Sequence, residues 1–118
     1  MASLKVYQYK KCSTCVKALK FLDKKGVSYE AIDITEKPPT KKELKAMLDQ
    51  YDGQLRKLFN TSGVLYREMK VKDKLPKMTE KEALDLLSRN GKLVKRPFVI
   101  SNQLGRVGFK EEEWKTLV

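Results

Sequence analysis

The chain has no histidine, and its only cysteines are Cys12 and Cys15. Without histidine, the Ser–His and Cys–His catalytic arrangements and most zinc sites are excluded. Half a zinc site at the cysteine pair would need a second Cys or His pair, and the sequence has none. Two cysteines three apart are also too few for a secreted disulfide scaffold. No apolar run is long enough to cross a bilayer. Met1-Ala2-Ser3-Leu4-Lys5-Val6 lacks the basic and then apolar layout of a secretory signal. The expected location is therefore cytoplasmic, with no membrane partner, no metal and no bound cofactor. Acidic residues are short: 15 Asp and Glu stand against 26 Lys and Arg, a net charge of +11. That surplus favours an acidic protein face, nucleic acid or an oxyanion as partner. The lysines are spread along the whole chain, however, so a solvated Lys-rich surface is the plainer reading.

What is present fits one compact unit. A length of 118 residues and a hydrophobic fraction of 41% suit a single domain over residues 1–118 with one core, expected to act as a monomer. Leu4 to Tyr9 alternates and carries aromatic and β-branched residues, which predicts a strand. A helix follows from Lys10–Ser13, with Val16, Leu19 and Leu22, flanked by Ala18 and Phe21, as its buried face and Gly26 as its stop. Val27 to Ile34 is a second strand, with Ile32 and Ile34 inward. This β-α-β unit makes the two strands parallel.

Pro38-Pro39 breaks the pattern. Thr40 and Thr79 each precede an apolar-periodic stretch, and Glu43 and Glu82 three residues on complete two capping boxes. The first of these helices presents Leu44, Met47, Leu48 and Tyr51 and ends at Asp52-Gly53. The second presents Ala83, Leu84, Leu86 and Leu87 and ends at Asn90-Gly91. Between them, Leu55, Leu58 and Phe59 start a short helix closed near Asn60–Gly63, and Val64 to Met69 adds a turn. Phe98 to Ile100 and Arg106 to Phe109 form a hairpin turning at Asn102-Gln103 or Leu104-Gly105. Glu111 to Glu113 opens a last helix, packed by Trp114, Leu117 and Val118. The order β-α-β, helices over about 40–91, then β-β-α is an α/β, thioredoxin-like plan: a four-stranded mixed sheet with an inserted helical segment.

Cys12-Ser13-Thr14-Cys15 falls between a strand and a helix. Cys12 at the N-cap meets unpaired backbone N–H groups and the positive end of the helix dipole, with Lys10, Lys11 and Lys17 nearby, all of which favour a thiolate. Cys15 lies one turn on, within reach for a disulfide. The pattern predicts a redox-active pair with Cys12 as nucleophile and Cys15 as resolving thiol; two inert buried thiols are the competing reading. Pro97 stands just ahead of a short strand. In a thioredoxin-like plan such a proline is cis, exposes the preceding backbone to a partner and puts Arg96 beside the sulfur. The alternative is a trans proline opening an edge strand.

Several segments then resemble one family. They are Tyr7-Gln8-Tyr9-Lys10-Lys11-Cys12-Ser13-Thr14-Cys15 with Lys17-Ala18, Phe59-Asn60-Thr61-Ser62-Gly63 with Tyr66-Arg67-Glu68, Leu93-Val94-Lys95-Arg96-Pro97, and Val107-Gly108-Phe109-Lys110-Glu111. In that order they resemble the arsenate reductase and Spx-like family, the ArsC family. The resemblance implies a thiol-disulfide oxidoreductase, with Cys12, Cys15 and Arg96 in catalytic roles and Lys11, Ser13, Thr14, Asn60 and Pro97 meeting substrate or partner. It implies glutathione, thioredoxin or glutaredoxin as electron donor. Asn60 and Phe109 stand where arsenate-reducing members carry arginines, and neither supplies a guanidinium's paired donors. That argues against arsenate itself, with Arg56, Arg67 and Arg106 as candidates to compensate. The alternative implied by the resemblance is a Spx-type redox-sensing regulator that binds the C-terminal domain of the RNA polymerase α subunit. Gly53 matches a glycine at the polymerase-contacting surface there, although a turn glycine after Asp52 is the simpler account.

Overall fold

A computed structural model describes residues 4–101 and 104–117. Four strands, β1 (Leu4–Gln8), β2 (Tyr29–Asp33), β3 (Phe98–Ser101) and β4 (Leu104–Val107), form one sheet in the order β2-β1-β3-β4. β1 runs parallel to β2, with Tyr7 opposite Ile32, and antiparallel to β3, with Val6 opposite Val99 and Tyr7 opposite Phe98. β3 and β4 form the expected hairpin. The helices are α1 (Ser13–Lys24), α2 (Lys41–Gln50), α3 (Val64–Glu68), α4 (Val71–Lys74), α5 (Glu80–Arg89) and α6 (Glu111–Trp114).

Strand alternation divides the interior into two cores. Leu4, Val6 and Val99 face α1 and α6, where they meet Ala18, Phe21, Leu22 and Trp114. Tyr7, Phe98, Ile100 and Val107 point the other way and meet Leu44, Met47, Leu48, Ala83 and Leu87 of α2 and α5. No charged or polar residue is buried among the described residues, and no buried side-chain polar atom there lacks a partner. The Trp114 indole Nε1 donates to the Gly108 carbonyl at 2.9 Å inside its core.

Local chemistry sets the helix ends as the sequence suggests. Both capping boxes are complete, Thr40 with Glu43 and Thr79 with Glu82. α1 closes on Gly26 at φ +69, with Gly26 N–H donating to Asp23 O and Val27 N–H to Leu22 O, the paired bonds of a left-handed helix end. These bonds hold Val27 in the cap, so β2 starts at Tyr29 instead of Val27. Ile34 lies past the strand but is fully buried, whereas Ile32 is half-buried.

Other expectations need correction. Val16 is 39% exposed, and Cys15 takes its place on the inner face of α1 with Ala18, Phe21 and Leu22. The N-cap at Cys12 fixes the helix phase, and positions 15, 18 and 22 then share a side. Phe59 does not continue the short 3₁₀ turn Leu55–Leu58 but leaves it to bridge Val94. Leu104 and Gly105 belong to β4, which excludes them as the hairpin turn; Asn102-Gln103 lies outside the described residues, as does Val118. β4 ends at Val107, and Phe109 packs instead edge-on to Trp114, with ring centroids 5.2 Å apart, and against Phe21 at 5.6 Å. The chain also makes α4 and a 3₁₀ turn, Leu75–Lys77, that periodicity does not reveal.

Gly91 opens the 3₁₀ turn that follows the Asn90 cap of α5, and it has a steric role there. A Cβ there would sit 1.8 Å from the Ile34 carbonyl oxygen, so the two backbones touch where β2 ends. Gly91→Ala is expected to lower stability by about 3 kcal/mol, as overpacking of a closed contact does. Urea unfolding checks this: the midpoint falls while the slope stays constant.

Candidate active site

The site is built where β1 and β3 deliver their ends. After β1 the chain turns, with Cys12 N–H donating to Tyr9 O at 2.9 Å, and enters α1. Cys12 is the N-cap, with extended backbone at φ −92 and ψ 113. Its Sγ accepts the Cys15 backbone N–H at 3.4 Å, so the sulfur takes the place of the hydroxyl oxygen of an ordinary capping serine. Both cysteines are free thiols, Cys12 half-buried and Cys15 fully buried. Burial pushes the Cys15 thiol up to about 12, from an ordinary 9.0; the hydrogen bond with Cys12 adds to the rise, while a backbone contact with Tyr9 and the charge of Arg96 oppose it. Cys15 therefore stays protonated at neutral pH.

Opposite lies the Arg96–Pro97 peptide, which is cis. The Arg96 guanidinium stacks over the Tyr9 ring, 5.1 Å from its centroid, which ties it to the cysteine turn. A third segment is latched alongside. Asn60 N–H donates to Leu93 O at 2.7 Å and Lys95 N–H to Leu58 O at 2.8 Å, on either side of the Phe59–Val94 bridge. A fourth, residues 107–110, is held by Gly108 N–H donating to Pro97 O at 2.9 Å. Gly108 has φ +72, and a Cβ there would meet Lys95 Cε at 3.0 Å. Glycine thus both makes the turn and lets the Lys95 side chain lie across it.

These four segments enclose a cleft of about 390 Å³ lined by Cys12, Thr14, Asn60, Lys95, Arg96 and Lys110, among others. Of the residues singled out from sequence, Cys12, Thr14, Asn60 and Arg96 line it. Lys11 and Ser13 are exposed outside it, and Pro97 and Cys15 are buried and do not line it. The lysines Lys95 and Lys110 escaped the sequence reading; their place inside the quoted segments beside Arg96 and Phe109 was the available signal. None of the compensating arginines lines this cleft. Arg67 donates to Ser62 O at 3.2 Å, and Arg106 donates to Gly105 O at 2.7 Å and Gln50 at 3.4 Å. Arg56 lines the neighbouring cavity instead. Gly53, at φ +79 after Asp52 at φ +56, is accounted for by the left-handed turn that ends α2. Among the described residues no cluster of metal-binding side chains occurs, and no helix is long and apolar enough to cross a membrane.

A parallel β-α-β unit, an antiparallel hairpin in the same sheet, a cysteine pair at the first helix N-terminus and a cis Arg96–Pro97 peptide just ahead of β3 define a thioredoxin-like protein. The ArsC family pattern matches residues 7–117. The chain belongs to the ArsC family. It is 46% identical over 113 residues to the uncharacterized protein YusI of Bacillus subtilis, covering 96% of each chain. An ArsC family related protein from Bacteroides fragilis superimposes with a TM-score of 0.91 at 46% identity over 98% of both chains. The chain is 24% identical over 102 residues, 86% of this chain and 73% of the relative, to the global transcriptional regulator Spx of Streptococcus mutans.

The raised Cys15 value makes a pH prediction. Between pH 9.0 and about 12 the folded chain keeps a proton on Cys15 that the unfolded chain has lost. The stability this thiol contributes is present below that window and fades as pH rises through it. Under reducing conditions, the stability gap between wild type and Cys15→Ala is expected to narrow from pH 7 to about pH 10.5, read by urea titrations at both pH values.

Proposed function

We propose that the protein is a thiol-disulfide oxidoreductase of the arsenate-reductase-like type. The observation that carries this is the asymmetry of the pair: Cys12 lines a cationic cleft while Cys15, whose N–H bonds to Cys12 Sγ, is buried. Cys12 attacks a disulfide, forms a mixed disulfide with one half and releases the other as a thiol. Cys15 then gives up its proton and attacks Cys12 Sγ, releasing the second thiol and leaving the Cys12–Cys15 disulfide. A cytoplasmic thiol donor, either glutathione or the dithiol of thioredoxin or glutaredoxin, restores the pair. Residues three apart on a helix have Cβ atoms about 5–6 Å apart, and a disulfide needs roughly 4 Å. Cys12, being an N-cap with non-helical backbone, has the freedom to close that gap.

Arg96, which lines the same cleft as Cys12, is assigned to stabilise the sulfur anions, with Thr14 and Asn60 as neutral hydrogen-bonding walls. With Asn60 and Phe109 in place of arginines, the cleft lacks the guanidinium set that would grip a small tetrahedral oxyanion, which favours a disulfide over arsenate. The similarity to Spx suggests a second role, redox-dependent binding of the RNA polymerase α C-terminal domain. A pull-down in the reduced and oxidised states tests it, and absence of binding in both removes it.

The decisive experiment uses Cys15→Ser. With a disulfide peptide, this variant is expected to accumulate a mixed disulfide at Cys12, seen as an adduct by intact mass. Wild type instead passes to the internal disulfide with loss of two hydrogens, and Cys12→Ser gives neither product. Adducts on Cys15, or none on any thiol, would sink the proposal.

A further inference from the structure

Next to the Cys12 cleft lies a second cavity of about 360 Å³. The two share Thr61, Lys95, Val107 and Lys110 as a common wall. The second one is completed by Arg56 and Lys57 from the 3₁₀ turn, with buried Phe59 behind them. Four basic residues therefore line one concavity that adjoins the Cys12 cleft.

Their grouping in one concavity continuous with the Cys12 cleft distinguishes this from a merely solvated basic surface. Among the described residues Lys5, Lys41, Lys45 and Arg89 form ion pairs with carboxylates. Arg56, Lys57, Lys95 and Lys110, like most basic residues of the chain, form none, although Glu113 also lines the cavity. Four like charges around a concave wall repel one another, and a bound anion relieves that repulsion. The concavity is too large and too spread for a single small oxyanion but suits an extended group bearing carboxylates. Lys95 and Lys110 reach both cavities, so such a group would run on from whatever is bonded to Cys12.

Building on the dithiol reading above, we infer that this second cavity is a carboxylate-binding subsite, and that the disulfide substrate is a peptide-like thiol carrying acidic groups within a residue or two of its sulfur. Cys12 forms its mixed disulfide with that acidic half while the other half leaves as a thiol. Arg56, Lys57, Lys95 and Lys110 hold the carboxylates until Cys15 displaces the acidic thiol. The protein dithiol supplies both electrons, and a cellular thiol restores it.

Three symmetric disulfides of acetyl-X-Cys-X-amide, with X as Glu, Gln or Lys, test this on the full chain, with oxidised glutathione as a small-molecule arm. At low salt kcat/KM is expected to favour Glu over Gln by about tenfold, with Lys slowest. The preference should shrink toward unity in about 0.5 M salt, where screening shortens to a few ångström, a readout that needs no variant. Arg56→Glu combined with Lys57→Glu should reverse the order of the Glu and Lys peptides. Titration of the ¹⁵N-labelled protein with S-methylated Glu and Gln peptides reads binding apart from chemistry, and only the Glu peptide should shift the amides of Thr61, Lys95 and Lys110. Oxidised glutathione reduced as fast as the Glu peptide assigns the subsite to small anionic thiols, and slower reduction assigns it to acidic protein segments. Equal rates and equal shifts for Glu and Gln overturn the subsite and leave the dithiol reading standing. Selective binding of the Glu peptide with no reduction of any disulfide does the reverse.

Discussion

The antiparallel pairing of β1 with β3 fixes where every group in the cleft lies. Val6 faces Val99 and Tyr7 faces Phe98 across it. The chain that leaves β1 becomes the Cys12 turn, and the chain that enters β3 brings Arg96 and Pro97 to meet it. A slip of one residue in this register would exchange Phe98 and Val99 between the two cores. Phe98 belongs with Tyr7, ring edge to face at 5.7 Å, and Val99 with Val6 and Trp114. Both cores would be mispacked at once, so the register is held from both sides of the sheet. The site inherits that rigidity, because Lys95, Arg96 and the Gly108 turn are bonded onto the same two strands or their latch with residues 58–60.

Charge contributes little to this framework. The ion pairs are exposed on at least one partner and are worth a fraction of a kcal/mol each in water. The fold rests on two apolar cores whose described members include no charged residue. Cations that stability does not use are therefore free to be placed for binding. The cluster along the cleft wall is best understood in that light: the scaffold tolerates its mutual repulsion because the groups are solvent-facing and the backbone beneath them is fixed by hydrogen bonds.

The legible parts of the sequence were those whose cause is local. Thr40 with Glu43, Thr79 with Glu82, and Gly26 carry their chemistry within a few residues. Cys12 as an N-cap and the Arg96–Pro97 step ahead of a strand are of the same kind. What escaped depends on contacts distant in sequence. Val16 fits an apolar stripe, but Cys15 occupies the inner face because the cap sets the helix phase. Phe109 looks like a strand residue, but the Gly108 turn and the Trp114 indole draw it into the α1 core. Lys95 and Lys110 look like two more surface lysines until the Leu58–Lys95 bond and the Pro97–Gly108 bond bring them to one wall. The fully buried Ile34 carbonyl against Gly91 is likewise invisible in the sequence, where Gly91 reads only as a helix stop.

The unequal burial of the two thiols also orders the proposed reaction. Cys15 is held protonated first by burial, then by its hydrogen bond with Cys12 and by any negative charge on Cys12; a backbone contact and Arg96 pull the other way. While Cys12 is a free thiol or thiolate, Cys15 is the poorer nucleophile and stays silent. Once Cys12 is bonded to a substrate sulfur, it can carry no negative charge and its sulfur is a weaker hydrogen-bond acceptor. Two of the influences that keep Cys15 protonated then weaken, while the opposing effect of Arg96 remains. Cys15 becomes easier to ionise at the step that needs it, beside the sulfur it must attack. The geometry thus provides a reason for Cys15 to act second, without any movement of the sheet or helices.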